Sequence, residues 1–128
     1  MKKILVVEDD PAYLKVLKHQ LTQSGFEVIE AEDGEEGLAS ANTYHPDLIL
    51  LDIRMPVMNG MTMLDELRKD AYGKSVKVII LTNIEPDDEI LEKVLRDIPT
   101  YYFIKSDTEL VILIEKIKDL FRPHSDKE

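Results

Sequence analysis

Acidic side chains directly follow two separate apolar segments of the sequence. Glu8 and Asp9 come after Ile4–Val7, and Asp52 comes after Leu48–Leu51. If the two segments are neighbouring parallel strands, the three carboxylates converge at one edge of a sheet and repel one another. A hard divalent cation relieves this repulsion, and Mg²⁺ binds one or two carboxylates while it keeps several waters. The spacing therefore indicates a Mg²⁺ site, although taken singly the first acidic group could be a polar loop with a helix cap and Asp52 a turn residue.

A hydroxyl group and an ammonium group end two further apolar segments. Thr82 follows Val78–Leu81, and Lys105 follows Tyr101–Ile104. A lysine at the end of an apolar strand is costly to bury unless a carboxylate pairs with it, and a threonine hydroxyl can donate to a phosphoryl oxygen. Each residue has an ordinary alternative, because lysine can extend to solvent and threonine is common in strands. Finding Thr82 and Lys105 together with the three carboxylates, all at strand ends, is far less expected by chance than finding any one of these residues there.

The elements that must position these residues alternate along the chain. Five short apolar segments, mostly unbroken, are typical of strands buried on both faces; they are Ile4–Val7, Val28–Ala31, Leu48–Leu51, Val78–Leu81 and Tyr101–Ile104. A helical pattern follows each strand. The first predicted helix begins at Pro11 and ends before Gly25, and the other four span Gly34–Asn42, Gly60–Lys69, Pro86–Asp97 and Thr108–Phe121. The alternation predicts an α/β fold, a doubly wound parallel sheet flanked by five helices. Ligands of such sheets bind beyond the carboxyl ends of the strands, where the candidate residues lie.

Composition bounds the size, the compartment and the partners of the protein. The 128 residues predict one domain, over 1–121, with a flexible polar tail at 122–128. The 16 Lys and Arg against 26 Asp and Glu give a net charge of −10, which argues against direct binding of nucleic acid or an anionic membrane. The absence of cysteine excludes disulfides, thiolate nucleophiles, zinc fingers and iron–sulfur clusters. With no signal peptide or membrane span in the sequence, we expect a soluble protein of the cytoplasm.

Four motifs, each at a strand end, give the sequence a resemblance to a known family. They are Ile4–Asp10, Asp47–Pro56 with Gly60, Val78–Thr82 and Tyr102–Lys105. Over about residues 2–121 the chain resembles the receiver domain of two-component response regulators, and in size it resembles the single-domain, chemotaxis-type (CheY-like) members. The resemblance implies a flavodoxin-like fold whose parallel strands lie in the order 2-1-3-4-5.

The resemblance also implies a role for each residue of the acidic site. Asp52 would be the phosphoacceptor, which takes a phosphoryl group from the phosphohistidine of a kinase or phosphotransfer protein. Asp9 and Asp52 would bind Mg²⁺, Glu8 would act through a metal-bound water, and the backbone carbonyl of Arg54 would complete the protein ligands. Such a domain assists only its own phosphorylation and dephosphorylation, and we therefore do not expect an enzyme.

Three further residues would convert phosphorylation into a signal. The resemblance implies that Thr82 hydrogen-bonds the phosphoryl group, that Lys105 forms an ion pair with it, and that Tyr102 is an aromatic switch that moves inward with Thr82. The signal would change a surface made of the fourth helix, the fifth strand and the fifth helix, and so control an unknown effector protein. We expect a monomer or a weak dimer.

The chain departs from the family pattern beside two of these residues. Ser106 follows Lys105 where the family usually has proline, often cis, and a cis bond before serine costs about 2.5–4 kcal/mol, so we expect a trans bond. Ser106, Asp107 or Thr108 could instead cap the last helix. Asn83 follows Thr82 where a small residue is usual, and it is expected to narrow access to the phosphate.

Two other functions compete with the signalling switch. A flavin-binding electron carrier of the same topology would need hydroxyls or glycine after the first strand, and the acidic residues there would repel its phosphate. A Mg²⁺-dependent phosphohydrolase with Asp52 as nucleophile would need a second acid or base on the same loop, where Arg54 stands. The chain could also be a receiver fragment of a larger response regulator.

Overall fold

A single five-stranded parallel sheet forms the centre of the protein. In this computed structural model, which describes residues 1–96 and 100–122, its strands are β1 (Lys3–Val7), β2 (Glu27–Ala31), β3 (Leu48–Leu51), β4 (Lys77–Thr82) and β5 (Thr100–Ile104). They lie in the order β2-β1-β3-β4-β5, which confirms the predicted topology. Apart from Arg122, the polar tail expected at 122–128 lies outside the described residues. The domain boundary at residue 121 therefore stays a prediction.

Helices cover both faces of the sheet. They are α1 (Pro11–Gln23), α2 (Gly34–Tyr44), α3 (Gly60–Leu67), α4 (Ala71–Ser75), α5 (Asp88–Arg96) and α6 (Leu110–Phe121). Apolar residues of α1 and α6 pack on one face, and those of α2, α3 and α5 pack on the other. None of the helices described is long and apolar enough to cross a membrane.

The described residues contain six α-helices where the sequence predicted five. The additional one, α4, has five residues, too few for an apolar period to show in the sequence. Its start is nonetheless encoded locally, because the Asp70 carboxylate accepts a hydrogen bond of 2.7 Å from the Gly73 N–H.

Two helix starts also differ from the prediction. The fourth predicted helix, α5, begins at Asp88 rather than Pro86, and Asp87 accepts from the Ile90 N–H at 2.9 Å. The last helix, α6, begins at Leu110 rather than Thr108, and its N-cap Glu109 makes no side-chain cap bond. The expectation that Ser106–Thr108 caps this helix is therefore wrong, because Lys105–Asp107 form a separate 3₁₀ turn before it.

The three central strands, β1, β3 and β4, are buried on both faces, as their unbroken apolar sequences predicted. For β2 and β5 that prediction is wrong: both are edge strands and are only partly buried. Successive side chains of a strand point to opposite faces, so Leu5 and Val7 of β1 join one core cluster and Ile4 and Val6 join the other. Full burial fixes the register of β1 against β3, in which Val7 pairs with Leu51. The residue that follows each of these two strands is thereby held at one edge of the sheet.

Candidate functional site

Three carboxylates converge where β1 and β3 end side by side. Glu8, Asp9 and Asp52 each offer an oxygen, and these oxygens all lie within 4.8 Å of one another. Glu8 and Asp52 are buried, with relative exposures of 3% and 8%, whereas Asp9 is exposed. Clustered carboxylate oxygens with one member open to solvent are a donor set that suits a hard cation such as Mg²⁺.

Backbone hydrogen bonds fix the two buried carboxylates. Glu8 Oε2 accepts from the Asp10 N–H at 3.0 Å, and Asp52 Oδ1 accepts from the Ile53 N–H at 2.7 Å. The Asp52 N–H donates to the Val7 carbonyl at 3.1 Å, which ties the residue to the end of β1. The orientation of both groups is thus set by the chain around them, before any ligand binds.

Lys105 pairs with both buried carboxylates. Its Nζ lies 2.7 Å from Glu8 Oε1 and 3.1 Å from Asp52 Oδ2, and the lysine side chain is 14% exposed. Lys105 follows β5, so it reaches over the end of β4 to meet them. The expected carboxylate partner is confirmed, and the alternative of a lysine extended into solvent is wrong.

Burial and pairing act in opposite directions on the protonation of this cluster. Burial raises the pKa of Glu8, although the Lys105 ammonium and the Asp10 N–H oppose this. Burial also disfavours the charged form of Lys105, but its hydrogen bonds and the charges of Glu8 and Asp52 outweigh burial and raise the pKa of Lys105. Lys105 therefore carries a positive charge at neutral pH.

Tyr13 is a member of the site that the sequence analysis missed. It lies in the first turns of α1, and the centroid of its ring is 4.5 Å from Lys105 Nζ, a cation–π distance. Burial raises the pKa of its hydroxyl. The signal in the sequence was an aromatic residue one turn after the acidic loop, on the side of the helix that carries the apolar residues.

The two candidate switch residues meet at the loop after β4. Thr82 ends β4 and is 1% exposed, and its Oγ1 accepts from the Ile84 N–H at 3.4 Å. The half-buried Tyr102 donates its hydroxyl proton to the Ile84 carbonyl at 2.6 Å, and burial raises the pKa of this hydroxyl. Thr82 and Tyr102 are thus joined through the backbone of one residue.

An open cavity of about 430 Å³ lies beside Asp52. Its lining combines a carboxylate, a hydroxyl, an amide, a guanidinium and an ammonium group, from Asp52, Thr82, Asn83, Arg54 and Lys105, together with Ile84 and Glu85. The structure thus brings the predicted Asp52, Thr82 and Lys105 to one cavity. The exposed Arg54 lines it as well, and the role of its carbonyl stays a prediction.

Gly60 makes a close backbone approach to the carboxylate loop. Its N–H donates to the Ile53 carbonyl at 2.8 Å, and a Cβ at this position would lie 2.1 Å from the Asp52 carbonyl oxygen. The start of α3 can therefore support Asp52 only with glycine at this position.

Comparison with known proteins points to one family. The family model described as the response regulator receiver domain matches residues 4–117. The chain is 40% identical over 94 residues to the alkaline phosphatase synthesis transcriptional regulatory protein PhoP of Bacillus subtilis, an alignment that covers 73% of this chain and 37% of PhoP. It is 37% identical over 89 residues to the protein PilH of Pseudomonas aeruginosa, covering 70% of this chain and 74% of PilH. The chain thus matches little more than a third of one relative and about three quarters of the other.

The fold has a solved counterpart in the response regulator TrrA of Thermotoga maritima, whose structure is a complex with Mg²⁺ and BeF. It superposes with a TM-score of 0.81 at 36% identity, over 94% of this chain and all of TrrA.

Proposed function

Because the chain belongs to the receiver domain family of response regulators, we propose that it is a phosphorylation-controlled switch in which Asp52 accepts a phosphoryl group. The donor would be a sensor histidine kinase or a phosphotransfer protein. The observation that carries this proposal is the position of Asp52, whose carboxylate lines an open cavity and is paired with Lys105 at 3.1 Å. The proposed nucleophile, the Asp52 carboxylate, is thus adjacent to a cation, the Lys105 ammonium.

The proposed reaction forms an acyl phosphate. A carboxylate oxygen of Asp52 attacks the phosphorus of phosphohistidine, the P–N bond breaks, and its electron pair returns to the imidazole of the donor. Phosphoryl transfer depends mainly on positioning and on neutralising charge on the phosphoryl oxygens. Lys105 would supply positive charge, and Thr82, which lines the same cavity, would donate a hydrogen bond from its hydroxyl.

The donor set fits Mg²⁺, as three carboxylate oxygens within 4.8 Å indicate. Glu8, Asp9 and Asp52 would hold the ion, with the carbonyl of Arg54 and water completing the ligands. Bound there, Mg²⁺ would add positive charge where the phosphoryl oxygens carry negative charge.

The proposed output surface is formed by α5, β5 and α6, which correspond to the fourth helix, fifth strand and fifth helix of the prediction. A phosphoryl group on Asp52 would draw Thr82 toward it, and the Ile84 backbone joins Thr82 to Tyr102. This surface exposes apolar side chains that an effector protein could cover, among them Leu95 at 72% and Val111 at 62% exposure. The effector, the absence of direct nucleic-acid binding, the monomeric or weakly dimeric state and the cytoplasmic location stay predictions.

Intact-mass measurement after incubation with acetyl phosphate tests the proposal. We expect the wild type to gain one phosphoryl group when Mg²⁺ is present and none with a chelator. Asp52→Asn should gain none under either condition. Asp65→Asn is the matched control, because Asp65 is an exposed aspartate of α3 that pairs with Lys93 away from the cluster, and it should behave as the wild type.

Two outcomes would replace the proposal. A wild-type protein that takes no phosphoryl group from acetyl phosphate or from phosphoramidate, whose P–N bond resembles that of phosphohistidine, would not be a phosphoacceptor. Asp52-dependent release of inorganic phosphate from an unactivated phosphate monoester, in large excess over protein, would indicate the phosphohydrolase instead, because a receiver that dephosphorylates itself also turns over acetyl phosphate. A receiver that belongs to a larger regulator would pass the test, and that alternative concerns the rest of the protein.

A further inference from the structure

A hydrogen bond joins the two loops that carry Thr82 and Lys105. The backbone N–H of Ser106 donates to Asn83 Oδ1 at 2.9 Å. Ser106 directly follows Lys105 and Asn83 directly follows Thr82, so the bond links the residues next to the two that are proposed to contact the phosphoryl group. It depends on a backbone N–H at position 106, which proline would not have.

This hydrogen bond sets the orientation of the Asn83 amide. Because the Ser106 N–H holds the amide oxygen, the NH₂ group occupies the other end of the amide, with two protons to donate. Among the described residues this NH₂ group has no acceptor. Asn83 also lines the cavity that contains Asp52, Thr82 and Lys105.

We propose that Asn83 is a phosphoryl-binding residue, whose side-chain NH₂ donates a hydrogen bond to an oxygen of the phosphoryl group on Asp52. The inference rests on the proposed function, since it assigns a further ligand to the same phosphoryl group. A phosphoryl group on a carboxylate presents three outer oxygens. Thr82 and Lys105 supply two donors, and Asn83 supplies a third from a neutral group. Ser106 would then be a positioning residue, because its N–H holds the amide oxygen and leaves the NH₂ group as the end that is free to donate.

Binding of beryllofluoride in the presence of Mg²⁺ tests this proposal, because this probe imitates a phosphoryl group on aspartate and is the ligand in the TrrA complex. A hydrogen bond to a charged group typically contributes enough that its loss weakens binding about tenfold, and we expect that loss for Asn83→Ala. In ¹⁹F NMR spectra of the bound probe, one fluorine resonance should shift far more than the others. A residue that merely shaped the loop would not single out one fluorine.

Variants at position 106 separate the effect of the Ser106 backbone N–H on the orientation of the Asn83 amide from the effects of the Ser106 side chain. Ser106→Ala keeps the backbone N–H and should bind beryllofluoride as the wild type does. Ser106→Pro removes the N–H and should weaken binding, though less than Asn83→Ala, since the amide can still reach the cavity in some orientations. In the double variant Asn83→Ala/Ser106→Pro the second change should add nothing. Affinity for Mg²⁺ alone should be unchanged in all four variants, because neither residue belongs to the carboxylate cluster, and this reports that each variant is folded.

Wild-type binding of beryllofluoride by Asn83→Ala, in a protein whose wild type is phosphorylated on Asp52, would overturn this inference and leave the proposed function standing. Additive losses in the double variant would overturn the positioning role of Ser106. A wild type that neither binds beryllofluoride nor accepts a phosphoryl group would remove the inference together with the proposed function.

Discussion

Replacing Gly60 with alanine should displace Asp52, the proposed phosphoacceptor, without changing a charged group. A Cβ at this position would lie 2.1 Å from the Asp52 carbonyl oxygen and 2.9 Å from Ile53 Cα, both of them backbone atoms. Real Cβ contacts do not fall below 3.0 Å, so the loop and the start of α3 must separate by about 0.9 Å. Because both atoms belong to the backbone, no side-chain rotation can relieve the contact.

This displacement has two measurable consequences. Overpacking of a tight site typically costs about 1–3 kcal/mol, and we expect a loss near 2 kcal/mol in the free energy of unfolding. With a urea m-value of about 2 kcal/mol/M, the unfolding midpoint should fall by about 1 M. A misplacement of about 1 Å in a reacting group can slow a reaction about a hundredfold, and we expect a loss of that order in the rate of phosphorylation by acetyl phosphate.

Gly37→Ala provides the matched control for this experiment. A Cβ at Gly37 would lie 2.8 Å from Val7 Cγ2 and 3.0 Å from Met63 Sδ, so only side chains need to move. We expect this variant to lose stability but to keep the wild-type phosphorylation rate when assayed well below its unfolding midpoint. If Gly60→Ala retained both the rate and the midpoint of the wild type, the close approach of α3 would not be what positions Asp52.

Three further outcomes follow from single features of the structure. Val57 has a φ of +67° and is 75% exposed, so Val57→Gly should relieve strain and raise the free energy of unfolding by about 1 kcal/mol, as urea denaturation would show. Tyr13→Leu should lose about 1 kcal/mol of stability while Tyr13→Phe keeps it, and a double-mutant cycle with Lys105→Met would show whether the ring acts through the ammonium. The pKa of Lys105 is raised above its ordinary value of 10.5, so its ion pairs stabilise the fold fully below that pH and are lost as pH rises through the higher folded-state value. The wild-type urea midpoint should therefore fall more steeply above pH 10.5 than that of Lys105→Met.

The sheet and the acidic cluster were predictable because buried strands leave unbroken apolar segments in the sequence, and charged residues mark where those segments end. A strand covered on both faces must be apolar throughout, so the segment Leu48–Leu51 predicts such a strand. The first charged residue after this segment must then lie at the edge of the sheet. The same reasoning places Glu8 after β1. Lys105 follows the partly buried edge strand β5, and its position was predicted from the apolar segment Tyr101–Ile104 alone. The strand order itself came from the resemblance, since apolar segments alone do not specify which strands are neighbours.

The features that escaped prediction depend on local contacts with no periodic signal. The five-residue helix α4 is too short for an apolar period. Tyr13 looks like an ordinary aromatic residue of a helix until Lys105, 92 positions later in the chain, is placed over its ring. The bond between Ser106 and Asn83 likewise requires two loops to meet, and the sequence analysis treated the two residues as separate departures from a family pattern.

If Asp52 is phosphorylated as proposed, the distribution of charge in the site lets one lysine respond to the change. Glu8 and Asp52 are buried, and breaking a buried ion pair leaves a charge without compensation. Among the residues the structure describes, Lys105 is the cation within ion-pair distance of both, and it lies closer to Glu8 than to Asp52. A phosphoryl group on Asp52 would add negative charge on that side alone, so it would change how strongly Lys105 is attracted to Asp52 relative to Glu8 rather than create a new ion pair. Because Lys105 directly follows β5, a shift of its ammonium would act on the strand that also holds Tyr102, and we expect the charge on Asp52 to affect the proposed effector surface by this route.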